Sequence, residues 1–119
     1  MSGTSSTDLY AVADFCLVPM GTAEPSVAEY IAECIRVLEK TGLKFKLHPS
    51  QCSGYGTNLE GPWSEVMKAI HDCHAAVHAK GAPRIATDIR IGTRVDREIA
   101  PGTGNESKVQ RVEDILNKA

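Results

Sequence analysis

Two hydrophobic periods alternate along this chain, and their order leaves few folds open. Val27, Tyr30, Ile31, Cys34, Ile35 and Leu38 recur at the spacing of one helix face, and Trp63, Val66, Met67, Ile70, Cys73, His74 and Val77 do so again. Around and between these stripes the period drops to two. "AVADFCLVPM" (11–20) sets Ala13, Phe15 and Leu17 against Asp14, Cys16 and Val18, and "KFKLH" (44–48) sets Phe45 and Leu47 against Lys44, Lys46 and His48. "TNLEG" (57–61) turns Leu59 inward and Asn58 and Glu60 outward. "PRIATDIRIGTRV" (83–95) opposes Ile85, Thr87, Ile89 and Ile91 to Ala86, Asp88 and Arg90. The order β-α-β-β-α-β predicts an α+β, ferredoxin-like fold, a four-stranded antiparallel sheet with two helices on one face. Val109, Val112, Ile115 and Leu116 form one more stripe and predict a short C-terminal helix after the break at "PGTGN".

Punctuation residues fit these boundaries. Ser26 and Glu29 have capping-box spacing for a first helix over 26–41, with Gly42 suited to its C′ position. Pro62 suits the first position of the second helix, and Gly81 ends it. Residues 49–56 are turn chemistry throughout. The Ser- and Thr-rich residues 1–9 predict a disordered tail ahead of one domain spanning 10–119.

Composition narrows the function classes. A formal net charge of −2 argues against a nucleic-acid surface built on bulk positive charge. The polar start lacks the basic and apolar regions of a secretory signal, and no apolar run approaches the roughly 20 residues of a membrane span. The expectation is a cytoplasmic protein whose four cysteines, Cys16, Cys34, Cys52 and Cys73, are free thiols. His71, His74 and His78 share a helical stripe, but two turns separate the outer pair, so they read as packing residues and no metal site is expected.

The alternation also says what lies on the sheet face that the two helices leave uncovered. Asp14, Cys16, Val18, Lys44, Lys46, His48, Asn58, Glu60, Asp88 and Arg90 all fall there. The mixture is too polar for a core, and it lacks the aromatics of an RNA platform. It suits a sheet face that pairs with another subunit around a polar ligand site, with a plain solvated face as the alternative.

The segments "ADFCLVPMGT", "LHP…GTNLEGPWSEVM" and "RIATDIRIGTRVD" resemble, in order and spacing, the small thiamine-binding family of the MTH1187/YkoF-like type. The resemblance spans nearly all of Ala11 to Arg97 and is strongest at Gly56-Thr57-x-x-Glu60-Gly61 followed by Trp63. It implies the ferredoxin-like fold, a homotetramer of sheet-stacked dimers, and non-catalytic binding of thiamine or its hydroxymethylpyrimidine part with no cofactor. The longer segment Ser50–Tyr55 departs from the family's short hairpin turn.

On that basis Glu60 is the leading ligand contact, its carboxylate facing the amine and ring nitrogen of an aminopyrimidine. As an exposed strand-end acid it would instead support the next helix N-terminus. Thr57 and Asn58 complete the polar set, or are plain hairpin residues. Trp63 is expected to pack on the sheet edge in preference to stacking on ligand. Asp14 and Cys16 join the site from the first strand. Asp88 and Arg90 bind ligand or, preferentially, form ion pairs across a dimer interface. The rivals are a small ferredoxin-like enzyme of the acylphosphatase kind, whose phosphate-cradling loop and Arg are missing from "PMGTAEPS", and a structural or interaction module without a thiamine ligand.

Overall fold

The computed structural model describes residues 8–22, 27–48, 56–98 and 100–118, with the side chains of Leu47 and His48 left aside. Strand β1 (Tyr10–Met20) is followed by α1 (Ala28–Thr41), β2 (Lys44–His48), β3 (Gly56–Pro62), α2 (Trp63–Ala79), β4 (Arg84–Thr93) and α3 (Gly104–Asn117). The sheet order is β2-β3-β1-β4, and every neighbouring pair is antiparallel. This is the ferredoxin-like arrangement that the alternation predicts.

One face of β1 supplies Ala11, Ala13, Phe15 and Leu17 to the core, where they meet Leu59 of β3, Cys34 and Leu38 of α1, and Val66, Ala69, Ile70, Cys73 and Val77 of α2. Small alanines on the central strand let α2 approach the sheet closely. Ile89 belongs to the same face by register but stays 44% exposed, because β4 is an edge strand. Cys16, Cys34 and Cys73 are buried thiols outside any disulfide. Cys73 points its thiol at the Cys34 carbonyl, 3.8 Å away, and so joins α2 to α1.

Several boundaries differ from expectation. Helix α1 begins at Ala28 with Val27 as an N-cap that supplies no side-chain hydrogen bond. Ser26 of the expected capping box lies outside the described residues, as do the tail residues 1–7, the Ser50–Tyr55 segment and Cys52. Gly42 does adopt the left-handed conformation (φ 77°) that closes α1. Pro62 ends β3 and caps α2, so Trp63 takes the first helical position. Asp8 and Leu9 are tied to that helix start: the Ser64 backbone N–H donates to Asp8 Oδ1 at 3.1 Å, and the Trp63 N–H donates to the Leu9 carbonyl at 2.6 Å. Helix α3 starts at Gly104, inside the segment read as a chain break.

The three histidines of α2 have separate partners. His74 Nε2 lies 2.6 Å from Thr87 Oγ1, His78 Nδ1 lies 2.8 Å from the Ala82 carbonyl, and His71 Nδ1 lies 3.1 Å from Asp72 Oδ1. Burial, with His78 and His71 nearby, holds the His74 pKa below its usual value.

Candidate functional site

Register arranges the uncovered face in transverse rows. Lys46, Asn58, Asp14 and Arg90 pair in turn across β2, β3, β1 and β4. The next row is Lys44, Glu60, Val12 and Gly92, and Cys16 and Asp88 pair on the far side of the Asp14 row. Side chains of directly paired residues stand about 5 Å apart, so neighbours along each row are within reach of one another.

Helix α3 lies against this face, and Glu60 fixes its start. The Glu60 side chain is only 4% exposed. Its Oε2 accepts from the Gly104 N–H at 2.8 Å and from the Tyr10 hydroxyl at 2.7 Å, and its Oε1 accepts from the Asn105 N–H at 3.2 Å. The orphan donors of a helix N-terminus, together with the helix dipole, favour a carboxylate at this point. Tyr10 in turn accepts from the Gly102 N–H at 2.7 Å. Burial, reinforced by the bond to Glu60, raises the Tyr10 pKa to about 12. Gly104 is required by proximity: a Cβ there would stand 2.5 Å from Val12 Cγ2 and 3.0 Å from Glu60 Oε2. An ion pair between Lys44 and Glu106 ties the helix to β2 as well.

Glu60 is therefore a buried cap, and the expectation of an exposed strand-end acid is corrected. It does support a helix N-terminus, but that of α3, 44 residues away, while the adjacent α2 takes its carboxylate from Asp8. The two strand faces explain the burial. Glu60 shares its face with Val12, and α3 covers that row.

The docked helix turns an open sheet face into a groove. On the β2–β3 side, a cavity of about 470 Å³ is lined by Lys46, Asn58, Glu60, Asn105, Val109 and Gln110, among others. On the β1–β4 side, a second cavity of about 440 Å³ is lined by Asp14, Asn58, Arg90, Asn105, Lys108 and Val109, among others. Asn58, Asn105 and Val109 border both, so the two form one trough running under α3. Its volume suits a small molecule, and its facing carboxamides offer both donors and acceptors.

Of the residues singled out in the sequence, Asp14, Asn58, Glu60 and Arg90 are brought together here. Cys16 and Asp88 share the face one row further on and border neither cavity. Thr57 is placed elsewhere. It pairs with Phe15, is buried on the helix-covered face, and points away from Asn58 and Glu60, as strand alternation demands. Trp63 stands 39% exposed at the start of α2, outside the buried core cluster and bordering neither cavity. Sequence reasoning missed Asn105 and Lys108. Their signal was the glycine pair of "PGTGN", which permits a close approach of backbone to the sheet and opens α3.

The family model for thiamine-binding proteins matches residues 13–113. The chain belongs to the thiamine-binding protein family. Among its relatives, the UPF0045 protein sll0230 of Synechocystis sp. is 47% identical over 108 residues, which cover 91% of this chain and 81% of that protein. The UPF0045 protein ECM15 of Eremothecium gossypii is 39% identical, covering 76% of this chain and 81% of its own. Among solved structures, the hypothetical protein MJ1052 of Methanocaldococcus jannaschii superposes with a TM-score of 0.71 at 28% identity, covering 87% of this chain and 96% of that one. A Thermotoga maritima protein, described as a candidate thiamine biosynthesis/salvage protein, gives 0.66 at 18% identity over 87% of this chain and 98% of its own, a likeness of fold.

Proposed function

We propose that this protein binds thiamine or a related hydroxymethylpyrimidine without turning it over, as a cytoplasmic homotetramer, and that the ligand lies in the trough under α3. Membership of the thiamine-binding family over residues 13–113 carries this reading. The trough supports it. An aminopyrimidine presents donors and acceptors side by side, and the Asn58 and Asn105 carboxamides supply the complementary pair from opposite walls. Val109 gives the ring an apolar contact between them. Glu60 contributes mainly by holding the roof in place, since both its oxygens already accept from the protein.

Helix α3 also supports self-association. Val109, Val112, Ile115 and Leu116, read in the sequence as a packing stripe, remain 49–69% exposed. An apolar stripe of this kind is commonly buried by a neighbouring subunit. Among the described residues no helix is long and apolar enough to cross a membrane.

Calorimetric titration with thiamine and with hydroxymethylpyrimidine tests the binding, and light scattering tests the assembly. Asn58→Ala should weaken the ligand on the order of tenfold, the worth of one well-placed hydrogen bond, with the fold kept. Mass spectrometry of ligand recovered after incubation should return it unchanged. Folded protein that binds neither compound at millimolar concentration would remove the proposal, and a modified product would replace binding with catalysis.

A further inference from the structure

Beside the trough, across Lys108, lies a pocket of different character. Lys108 borders both the β1–β4 side of the trough and a cavity of about 260 Å³ beside the start of α3, which is also lined by Arg94, Arg97, Arg111 and Glu98. Four cations thus face one carboxylate, in a chain whose formal net charge is −2. Arg94 is already engaged: its Nε and Nη2 both donate to Asp96 at 2.6 Å, which leaves the planar pair satisfied on one edge. Arg97 lies close enough to Asp96 to help hold that acid's pKa down, after the larger effect of Arg94. Lys108 and Arg111, one turn apart on α3, have no ion-pair partner among the described residues. The trough itself mixes signs, with Asp14 and Arg90 in one row. The pocket beyond Lys108 is nearly one-signed.

A cationic thiazolium ring has no reason to enter such a pocket, since like charges repel. A phosphoryl group has every reason, because guanidinium and ammonium groups bind its oxygens as charge-assisted donors. We propose that the pocket formed by Arg97, Lys108 and Arg111 receives the phosphate of a phosphorylated ligand whose ring lies in the trough, making the preferred ligand a thiamine phosphate ester in place of the free alcohol. This rests on the reading that the trough holds a thiamine-type ring. The anion pocket itself stands on its own residues. Lys108 sits where ring and phosphate meet and borders both spaces. Arg97 and Arg111 grip the far side, one from the segment after β4 and one from α3, so bound phosphate also fastens α3 to that segment.

The test compares thiamine, thiamine monophosphate and inorganic pyrophosphate by calorimetry on wild-type protein and on the Arg97→Ala/Arg111→Ala double variant. For wild type the monophosphate should bind about tenfold more tightly than thiamine, as expected for a few partly exposed charge contacts. Raising the salt concentration should shrink that preference. In the double variant the ratio of the two affinities should fall to about one, and pyrophosphate binding should be lost. Pyrophosphate that binds wild type and not the double variant supports the anion pocket even if thiamine itself does not bind, an outcome that sinks only the ring assignment. Equal wild-type affinities for ester and alcohol, or a preference that survives the double substitution in folded protein, overturns the proposal.

Discussion

Helices α2 and α3 both begin at a carboxylate borrowed from far away in the chain, and the two loans differ in depth. At α2, Asp8 reaches Ser64 across 56 residues, accepting from its backbone N–H at 3.1 Å and from its hydroxyl at 2.5 Å, at the exposed edge of the molecule. At α3, Glu60 reaches Gly104 and Asn105 from inside the sheet, beneath the helix it caps. Water replaces Asp8 readily. Nothing in the packed row of Val12 and Gly104 replaces Glu60, so removing it strands the Tyr10 hydroxyl and two backbone N–H groups. The same capping device is therefore a trim at one helix and the foundation of the candidate ligand site at the other.

Glu60→Ala should show the largest effect. Loss of three hydrogen bonds to a buried carboxylate is expected to cost about 3 kcal/mol in a denaturant titration. Amide exchange at Gly104 and Asn105 should accelerate more than exchange in β1, because α3 docks mainly through this contact. A cost below about 1 kcal/mol with unchanged exchange would break the contrast between the two helix starts.

Asp8→Ala is the matched control at α2. It is expected to cost about 1 kcal/mol, the usual worth of an N-cap side chain. Exchange at Ser64 should quicken while α3 stays protected. An Asp8 cost equal to that of Glu60 would mean that burial does not separate the two caps.

The smallest effect concerns pH. Tyr10 has its pKa raised to about 12 in the folded protein, first by burial and then by Glu60, against 10.0 as the ordinary value. The native state thus favours the neutral phenol. Its contribution to stability is complete below about pH 10 and is lost as pH rises from there towards 12. Stability measured through that window should fall more steeply for wild type than for Tyr10→Phe. Parallel curves would show that the hydroxyl is not held by Glu60 as the geometry has it.

Strand alternation makes much of the site legible in the sequence. Asp14, Asn58, Glu60 and Arg90 share a face because successive side chains on a strand must point to opposite sides, and the same rule excludes Thr57. Trp63 is harder to place. A Trp in the first turn of an amphipathic helix can pack at the sheet edge or face a ligand, and its exposure depends on where the helix stripe meets that edge; here 39% of it stays exposed. The C-terminal segment is hardest, since "PGTGN" reads as a break when its partners are unknown.

The chain's own letters determined element type, strand facing and fold, because dihedral preference and hydrophobic period act between near neighbours. Tertiary structure alone decided that Glu60 is buried, that α3 roofs the open face, and that Lys108 joins a mixed trough to a cationic pocket. Those facts depend on contacts spanning 44 residues or more, such as Gly104 with Glu60 and Gly102 with Tyr10. No local period encodes such a contact. It exists because a helix N-terminus with unpaired N–H groups and a carboxylate under a glycine find each other only once the sheet has formed.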